Sequence, residues 1–197
     1  MNRILSKDEE KSLAERIAAS VKHAPFRAGR FSLTCTDLPF YKQGYDVRIK
    51  CFTTMPIITK EYVCDDTHVF ETDGEPEALD KINKALSLSL NMKNIIAYVD
   101  FYFQKVAVDD DFAILISSLD DFPYNDEFND ELTENLEKLI TAPKAKKTED
   151  GFSVTAFVLL DDTLFKSDIS VSQDGTVNID DEEIVYDSLP VQRIILR

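Results

Sequence analysis

The sequence predicts an α+β fold: an antiparallel sheet with three helices and a C-terminal β-meander. Three observations point there. Strand-type alternation recurs in neighbouring segments joined by short polar turns, which suits antiparallel pairing. Three amphipathic helical segments are interspersed without strict strand–helix alternation. After residue 150 only strand patterns remain. Composition agrees. Of 197 residues, 44% are hydrophobic and 10% aromatic, and a chain this long buries roughly 70% of its unfolded surface. The 13 Phe and 7 Tyr therefore have a core to enter, without disulfide or metal staples.

The first helix opens at Ser6, which has capping-box spacing to Glu9. Leu13, Ile17 and Val21, with Ala14 and Ala18 beside them, give it one apolar stripe, and His23 and Pro25 close it. Phe31, Leu33 and Cys35 alternate with polar residues, as do Tyr45, Val47, Ile49 and Cys51, so both segments read as half-buried strands. A third extended stretch from about Ile57 to Phe70 breaks near Asp65–Asp66. A second helix opens at Glu75–Pro76, where proline suits the first turn, and presents Leu79, Ile82, Ala85, Leu86 and Leu90. Ile95 to Val108 reads as one long extended segment. The acidic turn Asp109–Asp110–Asp111 then reverses it into Phe112–Ile116. The third helix runs from about Asp126 to Ile140 on Phe128, Leu132, Leu136, Leu139 and Ile140, and Pro143 stops it.

Residues 141–150 are polar and aperiodic. The expected organisation is an α+β unit over 1–141, a linker over 142–150 and a β-hairpin extension over 151–197. That extension reads as strands Phe152–Leu160, Thr163–Val171, Thr176–Ile179 and Val191–Leu196. Asp161–Asp162 and Asp174–Gly175 supply the hairpin turns; Asp-Gly tolerates positive φ.

Several chemistries drop out. The five glycines are too far apart to write GxGxxG, GxxxxGK[ST] or GxSxG, so those phosphate cradles and that nucleophile elbow are absent. No apolar run approaches the ~18 residues of a membrane span, and the N-terminus has no apolar leader core. His23 suits a helix C-terminus, and a Cys64–His68 nucleophile pair is disfavoured by its place on a broken strand. Cys35, Cys51, Cys64 and His68 lack paired CxxC knuckles. Cys35 and Cys51 instead continue apolar strand faces and read as buried free thiols in a reducing, cytoplasmic setting. Residues 174–181 fit an EF-hand loop poorly, since Ser170 and Ser172 would hold the first two ligand positions, Asp181 would stand in the place of the bidentate Glu, and strands flank the segment. No cofactor or metal is expected. The paired carboxylates Asp65–Asp66, Asp120–Asp121, Asp161–Asp162 and Asp180–Asp181 are not dyads by adjacency alone, since neighbouring strand residues point to opposite faces, and each pair falls at an expected turn.

Charge is the strongest functional signal. The net charge of −15 argues against direct nucleic-acid binding. It divides into +5 over residues 1–60 and −20 over 61–197. Glu127, Asp130, Glu131 and Glu134 are spaced by three and four, which aligns them on one face of the third helix. They are the candidate partner-binding residues, facing a basic protein surface.

Between residues 6 and 141 the element order reads helix, three strands, helix, two strands, helix. VAVDDDFAILISSLDDFPYNDEFNDELTENLEKLI adds a strand, an acidic turn, an apolar strand and an acidic closing helix. This order resembles the type III secretion chaperones. The resemblance covers about two-thirds of the chain, rests on pattern, and stops before residues 151–197. It implies a compact fold that binds another protein, with a homodimer left open. The expected function is a non-enzymatic acidic protein-binding module, chaperone-like. The alternative is an acidic inhibitor or nucleic-acid mimic that blocks a basic site on another protein. A hydrolase using dispersed carboxylates is the third class. An exposed strand edge would favour the first reading, and a concave pocket with perturbed carboxylates the last.

Overall fold

The computed structural model describes residues 2–26, 30–108, 111–124 and 128–192. Among these residues, two antiparallel sheets and four α-helices build the fold. Sheet one is β1 (Asn2–Arg3), β2 (Phe31–Asp37), β3 (Tyr45–Cys51), β4 (Ile58–Cys64) and β5 (Val69–Glu71), in that spatial order. Helix α1 (Lys7–Ser20) crosses one face. Its Ser6–Glu9 capping box forms as the sequence spacing requires, with Ser6 N–H donating to Glu9 Oε2 at 2.7 Å. Ala14, Ile17 and Ala18 pack on Leu33, Cys35, Val47, Ile49, Tyr62 and Cys64. The alternation in β2 and β3 therefore points where it was expected, and Cys35 and Cys51 are buried free thiols.

Helices α2 (Pro76–Ala85) and α3 (Ile95–Lys105) join the central core, which takes residues from both sheets. Helix α3 is a correction: Ile95–Val108 was expected to be extended, and only β6 (Ala107–Val108) is. The segment is apolar on nearly every side, and Ile95, Tyr98, Val99, Phe101 and Phe103 are all buried. A helix buried around most of its circumference has no amphipathic period to read, and its β-branched and aromatic residues mimic a strand.

Sheet two runs β11 (Val177–Tyr186), β10 (Thr163–Ser172), β9 (Gly151–Leu160), β7 (Asp111–Ile116), β6. Strand β8 (Lys144–Lys147) lies in the segment expected to be a linker. It pairs with Phe152–Thr155 of β9, while β7 pairs with Phe157–Leu160. One edge of β9 is thus shared by β7 and β8, and the other belongs to β10. With only Ala145 packed inward, β8 has too little hydrophobic content to announce itself. Phe152, Val154, Ala156 and Val158 face the central core, and Phe157 and Leu159 face a third cluster under α4 (Asp130–Leu139) and Phe122. Residues 125–127 lie outside the described set, so the expected helix start at Asp126 does too. So do 109–110 of the expected acidic turn and 193–197 of the expected last strand. The described part of that strand makes one bridge, Val191 with Tyr124.

A buried polar chain ties these layers together. Tyr41 donates to Asn83 Oδ1, Asn83 Nδ2 donates to Tyr98 Oη at 2.8 Å, and Tyr98 donates to the Gly175 carbonyl at 2.7 Å. It joins the β2–β3 connection, α2, α3 and the β10–β11 turn, and its groups are satisfied, as burial demands. Gly175 has φ +93°, and an added Cβ would sit 2.3 Å from Tyr98 Oη. The Asp-Gly turn is fixed both by its conformation and by that approach.

Candidate functional site

The sequence-predicted acidic face is present in part. Asp130, Glu131 and Glu134 are exposed on α4, while Glu127 lies outside the described residues. Asn129 caps the helix by accepting from Leu132 N–H at 2.9 Å. Asp130 and Glu131 occupy the first turn, where the helix dipole favours them. Glu134 is 4.0 Å from Lys138 one turn on. The helix itself thus supplies some of the counter-charge that a partner was expected to bring.

A larger acidic feature was missed. Strand β11 runs ten residues, well beyond the expected Thr176–Ile179, because a run of four carboxylates does not look like a strand. It is the last strand of sheet two, and among the described residues β10 is its only pairing neighbour. The register slips by one residue on each side of Asp181–Ile184, which pairs with Phe165–Asp168 in between. Asp180 to Ile184 are all exposed, Ile184 at 62%. An antiparallel edge strand presents backbone N–H and C=O outward at alternate positions. This edge carries them beneath Asp180, Asp181, Glu182 and Glu183. Across the outer face the register continues Asp181, Asp168, Thr155, Lys144. Thr155 Oγ1 donates to Asp168 at 2.6 Å. The face grades from basic at β8 to acidic at β11.

The buried ionic chemistry lies elsewhere. Lys105, at the end of α3, has a side chain 1% exposed, with Nζ 2.5 Å from Glu61 Oε2 and 2.7 Å from Asp46 Oδ1. The Glu61 contact is a hydrogen bond, and the Asp46 contact is an ion pair. Arg48 Nε donates to the other Glu61 oxygen at 2.5 Å. Burial raises the Asp46 pKa and Lys105 only partly offsets it. Burial also acts to raise Glu61, but Lys105 and Arg48 outweigh it and the pKa falls. Two carboxylates driven apart in this way are a pattern of acid–base sites, and equally of ion pairs that hold elements together. Here the second use fits. The group clamps α3 to sheet one, while the open cleft of about 330 Å³ lined by Arg3, Arg16, Cys35 and Tyr45 opens on the α1 face. Tyr45 and Asp46 are neighbours on β3 and point to opposite sides.

That cleft holds two guanidinium groups, and both are engaged. Arg16 donates to the Asp65 carbonyl at 2.8 Å and to Tyr45 Oη at 2.5 Å. Arg3 pairs with Asp37 and lies 4.4 Å from the Tyr45 ring centroid. Cys35, a buried residue of its lining, has its pKa pushed up by burial to about 11, the wrong direction for a nucleophile. Cys64 is pushed up by burial to about 12, and the His68 ring contacts Thr67 and Asp65 instead. Asp65 caps its own turn, accepting from the Thr67 and His68 N–H groups at 2.7 and 2.6 Å. Asp174 does the same for Thr176 N–H at 3.1 Å, so this segment is the hairpin turn expected. Comparison with protein-family models, curated proteins and solved structures finds no match.

Proposed function

We propose that this chain is a non-enzymatic, acidic protein-binding module that holds a basic, extended segment of its partner against β11. The observation that carries the reading is the ten-residue edge strand, with exposed carboxylates from Asp180 to Glu183 and no second pairing neighbour among the described residues. Edge strands that carry charge resist pairing with uncharged or like-charged strands. The same charges admit a strand of opposite sign, so protection and selectivity come from one set of residues. Backbone hydrogen bonds would supply affinity, and alternate Lys or Arg side chains would meet Asp181 and Glu183 on one face and Glu182 on the other. Holding a partner extended is also what a chaperone-like role requires. The exposed carboxylates Asp130, Glu131 and Glu134 on α4 favour the inhibitor or mimic reading, in which charge alone is recognised.

One experiment separates the two. Fluorescence anisotropy would follow binding of an eight-residue alternating Lys–Val peptide and of its copy N-methylated at alternate residues. β-Addition predicts salt-sensitive binding of the first peptide, loss with the N-methylated copy, and loss in the Asp181→Lys, Glu183→Lys variant. Equal binding of both peptides, with sensitivity only to Asp130→Lys, Glu134→Lys, transfers the function to α4. No binding of either peptide removes the β11 reading.

A further inference from the structure

The end of the β3–β4 hairpin has the opposite character to the rest of the molecule. Between Cys51 and Ile58 the chain exposes Phe52 at 49%, Met55 at 101% and Ile57 at 58%. A side chain as open as Met55 stands clear of the surface, so these residues form a projecting tip. Large apolar side chains grouped in one exposed turn mark an interaction site. The charge around them is equally one-sided. From Val47 to Lys60 there is no carboxylate, while Arg48, Lys50 and Lys60 fall within it. Arg48 is committed to Glu61. Lys50 and Lys60 are not ion-paired among the described residues. The register sets Lys50 opposite Thr59 and Lys60 opposite Ile49, so the two lysines flank the tip from opposite faces of the sheet. Exposed Arg30 joins them, because its carbonyl accepts from Phe52 N–H at 2.9 Å.

We propose that this hairpin end is a docking tip for an anionic lipid surface, with Phe52, Met55 and Ile57 entering the headgroup boundary while Lys50, Lys60 and Arg30 meet lipid phosphates and carboxylates. No spanning helix is needed for such binding. It scales with buried apolar area together with attraction between basic side chains and anionic lipid. A projecting apolar point ringed by cations on both faces fits a soft anionic interface better than the preformed pocket of a protein. The chain's overall negative charge does not forbid it, because charges more than about 8 Å from the surface are screened at physiological ionic strength. This surface is distinct from β11, so the two readings stand or fall separately.

The test is sedimentation with vesicles of 70% phosphatidylcholine and 30% phosphatidylserine, against pure phosphatidylcholine vesicles, at low and physiological salt. Wild-type chain partitions to the anionic vesicles and at least tenfold less to the neutral ones. Met55→Asp with Ile57→Asp loses partitioning by more than tenfold. Lys50→Gln and Lys60→Gln each lose about fivefold and flatten the salt dependence. Met55, Ile57 and Lys50 are exposed and Lys60 is half-buried near the start of β4; an unchanged circular dichroism spectrum and an unchanged urea midpoint would confirm the fold. No partitioning of wild-type chain to the anionic vesicles, or partitioning unaffected by Met55→Asp with Ile57→Asp, overturns the proposal. So does concentration-dependent dimerisation in sedimentation velocity that this double variant abolishes while vesicle binding stays absent; the tip would then belong to a contact with a second copy.

Discussion

Lys105→Met tests the clamp between α3 and sheet one most directly. The Lys105 side chain is 1% exposed, and the two carboxylates it meets are 16% and 14% exposed. Methionine keeps an unbranched apolar side chain in the same space and removes the ammonium, with its two carboxylate contacts and its place over the Phe101 ring, 5.8 Å from Nζ to the centroid. Glu61 retains Arg48, but Asp46 loses the cation in contact with it and remains largely buried. Breaking a buried ion pair by removing one partner costs about 3–5 kcal/mol. With a urea slope near 3 kcal/mol/M for a chain of this size, the midpoint should fall by about 1–1.7 M. Tm should fall by roughly 6–20 °C. The assay is equilibrium urea unfolding at pH 7, followed by circular dichroism. Adding Asp46→Asn to Lys105→Met should restore at least half of the loss, because the orphaned charge is gone. A single-variant loss below about 1 kcal/mol, or a double variant no better than the single, would refute the argument that this contact holds the layers together.

Other outcomes follow from single sites. The Asp65 pKa is lowered to about 2: burial works to raise it, and hydrogen bonds from His68 and Thr67 outweigh that. A depressed folded-state pKa contributes stability above the unfolded value and loses it as pH falls. The stability gap between wild type and Asp65→Asn should therefore be full at pH 7 and close between about pH 4 and pH 2; a gap independent of pH would contradict the turn geometry. Leu136 is 0% exposed on α4, so Leu136→Ala should cost about 2–5 kcal/mol in chemical denaturation, and a loss under about 0.5 kcal/mol would mean α4 does not pack on sheet two. Cys35, Cys51 and Cys64 are all buried, and burial raises their pKa values. A thiol reagent at pH 8 should therefore label them only as fast as the protein unfolds, and immediate labelling of the native chain would exclude the packing described.

Legibility followed the physical strength of each signal. Capping at Ser6–Glu9, the alternation of β2 and β3, the proline start of α2 and the Asp-Gly turn at Asp174–Gly175 each depend on local chemistry, and each is where the sequence placed it. The α+β class with antiparallel sheets and a terminal meander followed from these, with four helices where three were expected. Helix α3 was hidden because its neighbours, not its own pattern, decide its conformation. Strands β8 and β11 were hidden for the reverse reason: Lys144, Lys146 and Lys147, and Asp180 to Glu183, sit on edges where solvent replaces the hydrophobic partner that alternation requires. The ionic group of Asp46, Glu61 and Lys105 has no sequence signature, since Lys105 is 44 residues from Glu61 and only tertiary packing brings them together.

The division of labour between the cores bears on the order in which the chain acquires structure during synthesis. Among the described residues, every member of the cluster under α1 falls between Leu5 and Val69, so these members have all been made once β5 leaves the ribosome. Sheet two is different: β7, β8 and β10 all pair with β9, and none of them has that neighbour until residues 151–160 emerge. Chains begin to fold from the N-terminal end as they are made. The half-finished molecule is then sheet one with α1 on one face and its other face open to water. That open face carries Asp46, Arg48 and Glu61, a charged row that stays hydrated and discourages premature sticking. When α3 arrives, Lys105 closes over it, so the group that keeps the early piece wet is also the one that marks where the later layer must land.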